Sequence, residues 1–326
     1  MIAWSPLVES VRGHRRFLLI SHVRPDCDAL GSQLAMAAIL ETLGKDVLLV
    51  NDFATPANLA FLDPQRKIKQ LGQQVRAEEL ADREVIVVLD TSAWSQLGRM
   101  ADVVRASRAV KLVMDHHISQ DDLGATLLKN TESESTGRLV VEAADALNVP
   151  LTAEMAELIF AAEATDTGWF RFSSTSAESY RLAARLVEAG AVPDRLYKQL
   201  YEHDSLARLQ LIGRTLARTH TELDGRLIYT WIELSDFAAT GAAASDTEDI
   251  VNLALTVSGV EVAVILVEQR GGTLKLSLRS RSEVDCSRLA EQFAGGGHKR
   301  AAGATLQGPL PVALQRILDA VRGVMR

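Results

Sequence analysis

The chain has 326 residues, 47% of them hydrophobic, and its 35 Lys or Arg against 42 Asp or Glu give a formal net charge of −7. This length predicts two folded domains, and the acidic balance excludes a wide grip on long nucleic acid, which needs many basic contacts to phosphates. Two cysteines, Cys27 and Cys286, form neither a disulfide framework nor a zinc-ribbon spacing, and Cys27 is expected to pack in the core. We find no signal-peptide pattern and no uninterrupted apolar run long enough to span a membrane, so we expect a cytoplasmic protein without a membrane partner.

The first predicted strand, residues 17–21, leads into a turn that carries His22, Asp26 and Asp28. Apolar residues at helical spacing follow over 29–43, so this stretch predicts a strand–loop–helix junction. In open α/β sheets, ligands bind at the carboxyl ends of strands. One His with two closely spaced Asp suits a cation that accepts nitrogen and oxygen ligands, although an ordinary polar turn is an alternative for this stretch alone.

Three more apolar runs predict strands at 46–50, 84–89 and 109–114. Asp90 directly follows the second of these runs, and Asp115-His116-His117 follows the third. Nearly continuous apolar strands that alternate with helices predict a parallel sheet covered on both faces. Because the carboxyl ends of parallel strands share one edge, the polar residues after these strands are expected to form a metal site.

Two later segments add candidates to this edge. The polar stretch 131–137 either offers hydroxyls and helix-start amides to a phosphate or caps a helix, and the sequence leaves both interpretations open. A predicted helix over 151–167 reaches Asp166, and Gly168 is suited to end it. The helix dipole disfavours an acid at that end, so a nearby cation explains Asp166 more easily.

The C-terminal third predicts a smaller α/β domain with strands at 226–232, 261–267 and 273–278 and a helix over 246–258. Residues 270–300 contain seven Lys or Arg against three acids, and they include Gly295-Gly-Gly-His298. Consecutive glycines let backbone amides approach an anion, and the basic side chains can neutralise it. The alternative for the glycine run is a flexible helix end.

These motifs resemble those of the DHH phosphoesterases. The resemblance is carried by His22-x3-Asp26-x-Asp28, Asp90, Asp115-His116-His117 and Asp166, and by Gly295-Gly-Gly-His298 with Ala301-Ala-Gly303, which is similar to the signature of the DHH-associated C-terminal domain. The two-domain layout looks like the bacterial nano-RNase and pAp-phosphatase branch, which is oligoribonuclease-like. The resemblance implies a Rossmann-like parallel-sheet catalytic domain over 1–190, a helical linker over 191–225 and a substrate-binding domain over 226–326, with the active site in the interdomain cleft.

The resemblance also implies a role for each candidate residue. One divalent metal would be held by His22, Asp26 and Asp90, and a second by Asp28, Asp90, His116 and Asp166, so that Asp90 bridges the two. Manganese is expected, and the ligand mixture also admits magnesium, cobalt or zinc. The four clustered carboxylates match the charge of two divalent cations, and without metal they would repel one another and raise their pKa values.

The remaining candidates are expected to act on the substrate. His117 would contact the phosphate or assist the leaving group, and Asp115 would orient its neighbours. The 5′ end or base of a short substrate would be held by Arg279, Ser280, Gly296, Gly297 and His298.

The resemblance implies a phosphoesterase that releases 5′-mononucleotides from very short RNA or from linear dinucleotides such as pApA. Dephosphorylation of the nucleotide adenosine 3′,5′-bisphosphate (pAp) and a homodimer are also expected. Three alternatives stay open: a cyclic di-AMP phosphodiesterase, an inorganic pyrophosphatase and a catalytically inactive nucleotide sensor. The pyrophosphatase is disfavoured because that family carries a different C-terminal domain, and the sensor is disfavoured by the complete ligand set.

Overall fold

The computed structural model describes residues 2–202 and 204–325. The chain divides into two compact units, Met1–His203 and Asp204–Arg326. The linker predicted over 191–225 contains position 203, which lies outside the described residues. Among the helices of the described ranges, none is both long enough and apolar enough to cross a membrane.

The N-terminal unit is built on a parallel sheet. Its strands are β1 (Arg16–Ile20), β2 (Asp46–Asn51), β3 (Ile68–Gln70), β4 (Val85–Leu89), β5 (Val110–Asp115) and β6 (Thr126–Lys129). Within residues 2–202 these strands are all parallel in the order β3-β2-β1-β4-β5-β6. This confirms the predicted Rossmann-like sheet, and the chain reverses its direction across the sheet between β1 and β4. The loops after these two strands therefore lie at the switch point where such folds bind ligands.

Helices cover both faces of this sheet. They are α1 (Ser5–Gly13), α2 (Cys27–Thr42), α3 (Met100–Ala106), α4 (Thr136–Ala146), α5 (Ala153–Asp166), α6 (Ala177–Glu188) and α7 (Pro193–Tyr201), with 3₁₀ turns at Ala57–Leu62, Ala77–Leu80 and Trp94–Gln96. Alternate residues of β1 enter two different apolar clusters: Phe17 belongs to the cluster with α2 and α5, and Leu18 to the cluster with α3. The alternation explains why the strands are apolar throughout.

Helices α2 and α5 pack closely, which matters because each carries candidate ligands. The side chain of Asp26 caps α2 by accepting a hydrogen bond from the amide of Ala29 at 3.1 Å. A Cβ atom added to Gly31 would lie 2.5 Å from the carbonyl oxygen of Leu158, so the absence of a side chain permits the approach of the helices. Cys27 is buried in this layer, as expected.

The C-terminal unit contains a mixed sheet between two helical layers. Its elements are α8 (Leu206–Ala217), β7 (His220–Glu222), β8 (Leu227–Ile232), α9 (Leu234–Thr240), a 3₁₀ turn (Ala244–Thr247), α10 (Ile250–Ala254), β9 (Val262–Gln269), β10 (Thr273–Ser280), α11 (Cys286–Glu291), β11 (Gly296–His298), β12 (Ala301–Gln307) and α12 (Leu310–Val324). The strand order is β11-β12-β10-β9-β8-β7, and the pair β8–β9 is parallel. The smaller α/β domain is confirmed, but the predicted helix over 246–258 is wrong in length. The glycine run forms the edge strand β11 rather than a helix end, because it pairs with β12.

Candidate metal centre

The turns after β1 and β4 bring His22 next to two carboxylates. Its Nε2 atom lies 3.3 Å from Oδ2 of Asp90 and 3.7 Å from Oδ1 of Asp26. Its Nδ1 atom lies 2.9 Å from the carbonyl oxygen of Val23, which accepts the ring proton. Nε2 therefore faces the carboxylates, where it can hold either a proton or a metal ion.

A second cluster forms around His116. Its Nε2 atom lies 3.2 Å from Oδ2 of Asp166, 3.5 Å from Oδ1 of Asp90 and 3.7 Å from Oδ2 of Asp28. Its Nδ1 atom donates to the carbonyl oxygen of Ser133 at 3.2 Å. Within the described residues, the buried Nε2 atom has no hydrogen-bond partner. A buried ring nitrogen that faces three carboxylates and lacks a well-formed hydrogen bond fits a bound cation, so the residues present suit the metal that the motifs imply.

Asp90 belongs to both clusters, and its two oxygens face different histidines. The residue is buried and adopts the left-handed conformation with φ 64°. Non-glycine residues seldom occupy this region, although Asp enters it more readily than most, and such strained positions cluster at functional sites. Among the described residues, three groups have candidate ligand atoms that all lie within 4.8 Å of one another. They are His22, Asp26 and Asp90; Asp28, His116 and Asp166; and Asp90, His116 and His117.

The clustered acids and histidines strongly perturb one another. Burial opposes protonation of His22 and His116, but the carboxylates around them outweigh it and raise the pKa values to about 11 and about 10. Burial, followed by the charge of Asp90, raises the pKa of Asp28 well above its usual range. The cluster thus favours added positive charge, which protons or divalent cations can supply in competition.

Asp115 is placed to orient His117 rather than to bind metal. Its Oδ1 atom accepts hydrogen bonds from the amide of His117 at 3.0 Å and from Nδ1 at 2.9 Å, and its Oδ2 atom accepts from Ser92 at 2.6 Å. Lys129 lies 3.2 Å from the same Oδ2 atom. Burial is outweighed by the bonds from His117 and Ser92, which lower the pKa of Asp115 to about 2. Nδ1 of His117 lies 3.7 Å from Oδ1 of Asp90, so the closer Asp115 is its hydrogen-bond partner.

The stretch 131–137 caps a helix and supports a candidate ligand. The hydroxyl of Ser135 accepts the amide of Arg138 at 3.1 Å and thereby begins α4. The amides of Thr136 and Gly137 donate to the two oxygens of Asp28 at 2.8 and 2.9 Å. The N-cap interpretation is confirmed, and these amides are directed to a carboxylate instead of a phosphate. Sequence reasoning found the stretch but missed this role, as it missed the contacts that hold Asp115.

In the C-terminal unit, cross-strand register separates the substrate candidates onto two faces of the sheet. Arg279 and His298 both lie opposite Ala301, so their side chains share one face with Gly296. Arg279 and Gly296 line a groove of about 670 Å³ on this face.

Ser280 and Gly297 alternate with these residues along their strands. Ser280 is buried, and its hydroxyl accepts the amide of Ser282 at 3.1 Å. At Gly297 an added Cβ would lie 2.6 Å from the carbonyl oxygen of Ala301. The structure therefore places Arg279, Gly296 and His298 on one face of the sheet and buries Ser280, whereas Gly297 is exposed and lines the same groove as Gly296.

Comparison with known proteins agrees with this arrangement. Residues 16–162 match the DHH family, N-terminal domain, and residues 224–326 match the DHHA1 domain. A Thermus thermophilus protein named bifunctional oligoribonuclease and PAP phosphatase NrnA is 32% identical over 305 residues, covering 93% of this chain and 88% of that protein. A Bacillus subtilis protein of the same name is 27% identical over 304 residues, covering 92% of each.

Solved structures show the same architecture over the whole chain. An exopolyphosphatase-related protein from Bacteroides fragilis has a TM-score of 0.86 at 27% identity, covering 99% of this chain and 97% of that one. The exonuclease RecJ bound to manganese has a TM-score of 0.54 at 15% identity, covering 98% and 94%, and shares the fold.

The two domains and the histidine–carboxylate centre define a hydrolase of phosphoester bonds. Membership of this class implies a divalent metal, for which the clusters around His22 and His116 supply suitable ligands. The chain belongs to the DHH family of phosphoesterases and carries the DHHA1 domain.

Proposed function

We propose that this protein hydrolyses short oligoribonucleotides and linear dinucleotides such as pApA to 5′-mononucleotides. We propose that it also removes the 3′-phosphate of pAp. The observation that carries the proposal is the pair of histidine–carboxylate clusters that share Asp90. They occur in a chain whose relatives, similar over nearly their full length, are named bifunctional oligoribonuclease and PAP phosphatase.

The proposed metal ligands follow the two clusters. His22, Asp26 and Asp90 would hold one divalent cation, and Asp28, Asp90, His116 and Asp166 would hold the other, with manganese as the proposed ion. Support comes from the orphaned Nε2 atom of His116 and from the separate directions of the two Asp90 oxygens. Two bound cations would supply charge stabilisation at the phosphoryl oxygens and a more acidic water.

The protein's own side chains position the substrate and its leaving group. The hydrogen bond to Asp115 is the first cause that raises the pKa of His117, so the ring is prepared to hold a proton beside the phosphate. We assign His117 to the phosphate or the leaving oxygen. Arg279, Gly296, Gly297 and His298 would contact the 5′ end or the base of the substrate, and the buried Ser280 would maintain the shape of the groove.

The wider setting follows from this assignment. We propose a catalytic domain over 1–190, a helical linker over 191–225 and a substrate-binding domain over 226–326, acting in the cytoplasm. A homodimer is part of the proposal, and its mass in solution can be measured directly. A groove of about 670 Å³ lined by Lys275 and Arg279 of β10 and by the glycines of β11 suits a mononucleotide or dinucleotide end.

The test compares substrates and two matched variants. Purified full-length protein with manganese is incubated separately with pApA, pAp, cyclic di-AMP and pyrophosphate, and initial rates are measured. We expect AMP from the first two, and we expect Asp90→Asn to lose more than the roughly 10–100-fold that outer partners of metal sites cost. Asp102→Asn changes a largely exposed carboxylate of α3 and should keep full activity.

Each of the other outcomes would identify either a different enzyme or a protein without enzymatic activity. Exclusive cleavage of pyrophosphate would overturn the proposal in favour of a pyrophosphatase, and rapid ring opening would identify a cyclic di-AMP phosphodiesterase. Nucleotide binding without turnover of any substrate would identify a sensor. Full activity in Asp90→Asn would refute the shared ligand.

A further inference from the structure

The loop before α4 and the first residue of that helix contact three of the proposed metal ligands. The carbonyl oxygen of Ser133 accepts Nδ1 of His116 at 3.2 Å. The amide of Thr136 donates to Oδ2 of Asp28 at 2.8 Å, and its hydroxyl donates to Oδ1 of Asp90 at 2.9 Å. These three ligands lie after β4, after β5 and in the first turn of α2, and all three contact this one segment before and at the start of α4.

Thr136, the first residue of α4, joins the two clusters. It is fully buried, so its hydroxyl is shielded from water. Its distance of 2.9 Å to Asp90 is shorter than the 3.3 and 3.5 Å that separate Asp90 from His22 and His116. The torsion at the end of an Asp side chain has a broad energy profile, so such a bond decides how the carboxylate is turned.

The Asp28 carboxylate accepts hydrogen bonds from several donors, whereas the hydroxyl of Thr136 is the closest donor to the Asp90 carboxylate. Asp28 accepts the amides of Thr136 and Gly137 and the hydroxyl of Ser32 at 3.0 Å. Loss of one side-chain donor therefore leaves Asp28 held by backbone groups. Loss of the Thr136 hydroxyl removes the closest donor to Asp90.

A buried hydrogen bond to α5 holds the start of α4, so Thr136 has a fixed position. The hydroxyl of Ser135 donates to Oε2 of Glu163 at 2.5 Å, and both residues are fully buried. Glu163 lies on α5, three residues before Asp166 at the end of the same helix. This bond ties the loop to a fourth proposed ligand through one rigid element.

We propose that Thr136 is a positioning residue of the metal centre. Its hydroxyl fixes the rotation of the Asp90 carboxylate so that Oδ2 faces the His22 cluster while Oδ1 faces the His116 cluster. The inference rests on the metal assignment of the proposed function and adds a residue outside the ligand set. Val at this position keeps the shape but places a methyl group against a buried carboxylate oxygen, which leaves that oxygen unpaired.

The experiment measures manganese binding directly, without substrate. Metal-free full-length protein is titrated with manganese by calorimetry for the wild type, Thr136→Val, Thr136→Ser and Thr152→Val. The last variant is the matched control, because Thr152 caps α5 through the amide of Met155 at 3.3 Å and its exposed side chain lies at the start of that helix, away from Asp166. We expect Thr136→Val to weaken manganese binding by about 10–100-fold, as for other outer partners of metal sites. Thr136→Ser and Thr152→Val should keep the wild-type affinity.

The split between kcat and KM provides a second readout, which would not change if Thr136 only stabilised the fold. At saturating manganese, Thr136→Val should lower kcat for pApA and leave KM unchanged, because the proposed role of Thr136 is toward Asp90 and not toward the nucleotide. Thr136→Ser should restore kcat. Wild-type manganese affinity in Thr136→Val, or equal weakening in Thr136→Ser, would overturn the inference.

Two further measurements distinguish loss of folding from loss of metal binding, and failure of this inference from failure of the proposed function. If thermal unfolding shows that Thr136→Val does not fold, Thr136→Ala replaces it, since Ala removes the hydroxyl without adding a methyl group beside Asp90. Weakened binding in that folded variant supports the inference, and unchanged binding refutes it. A wild-type protein that binds manganese but releases no AMP would refute the proposed function and leave the manganese test of Thr136 intact.

Discussion

Replacement of Glu163 by Gln should make the protein more stable at alkaline pH. Glu163 is fully buried on α5, with Oε2 bonded to Ser135 and, among described residues, no partner for Oε1. Burial, with a further contribution from the charge of Glu134, raises its pKa from an ordinary 4.5 to about 7. The buried carboxyl therefore favours the protonated form, which Gln imitates.

The sign and the size of this stability difference follow from the difference in proton binding between the folded and unfolded chains. Between pH 4.5 and 7 the folded chain holds a proton on Glu163 that the unfolded chain has released, so this contribution to stability is lost as pH rises through about 7. The separation of the two pKa values, at about 1.4 kcal/mol per pH unit, corresponds to about 3 kcal/mol. Glu163→Gln should exceed the wild type by up to about 3 kcal/mol at pH 8, and the difference should shrink steadily toward pH 5.

The assay is urea unfolding followed by tryptophan fluorescence, in the presence of chelator, at several pH values between 5 and 8. Glu154→Gln is the control, since Glu154 is exposed in the first turn of the same helix and should change stability by less than about 0.5 kcal/mol. A gap between Glu163→Gln and wild type that is constant with pH, or larger at pH 5 than at pH 8, would refute the reasoning.

Three other predictions concern the metal and the glycines. Chelation should abolish activity and lower the melting temperature, and manganese at a hundred times its Kd should restore about 2.7 kcal/mol of stability, measured by thermal unfolding with and without the ion. Gly297→Ala should lower the free energy of unfolding by about 1–3 kcal/mol, because φ is 146° and the new Cβ would lie 2.6 Å from the backbone of β12. The Cβ of Gly296→Ala would meet nothing within 4 Å, so this variant should fold normally while binding pApA more weakly in a titration. Equal stability of the two variants would contradict this account. Gly31→Ala should cost about 1–3 kcal/mol in urea unfolding because its Cβ would meet the backbone of α5, and Gly213→Ala in the open face of α8 serves as the control that should lose nothing.

Local pattern was enough to predict the parallel sheet and the types of residue at its edge. Continuous apolar runs followed by His22, Asp90 and Asp115-His116-His117 indicate strands that end in polar groups, and strand direction then brings those groups to one edge. Two short strands, β3 and β6, were missed because three or four residues carry too little pattern.

Only the tertiary structure decided how these residues are supported. The sequence suggested that the start of α4 could bind a phosphate, yet the amide of Thr136 is bonded to Asp28, 108 positions earlier in the chain. In the same way, the pairing of Gly296 with Gly303 turned the glycine run into an edge strand. Periodicity reports the face of an element on which a residue lies, but it carries no information about which distant backbone will occupy the space opposite that face. Such contacts are set by the packing of whole elements, and they determine which polar groups hold the ligands and which remain free for substrate.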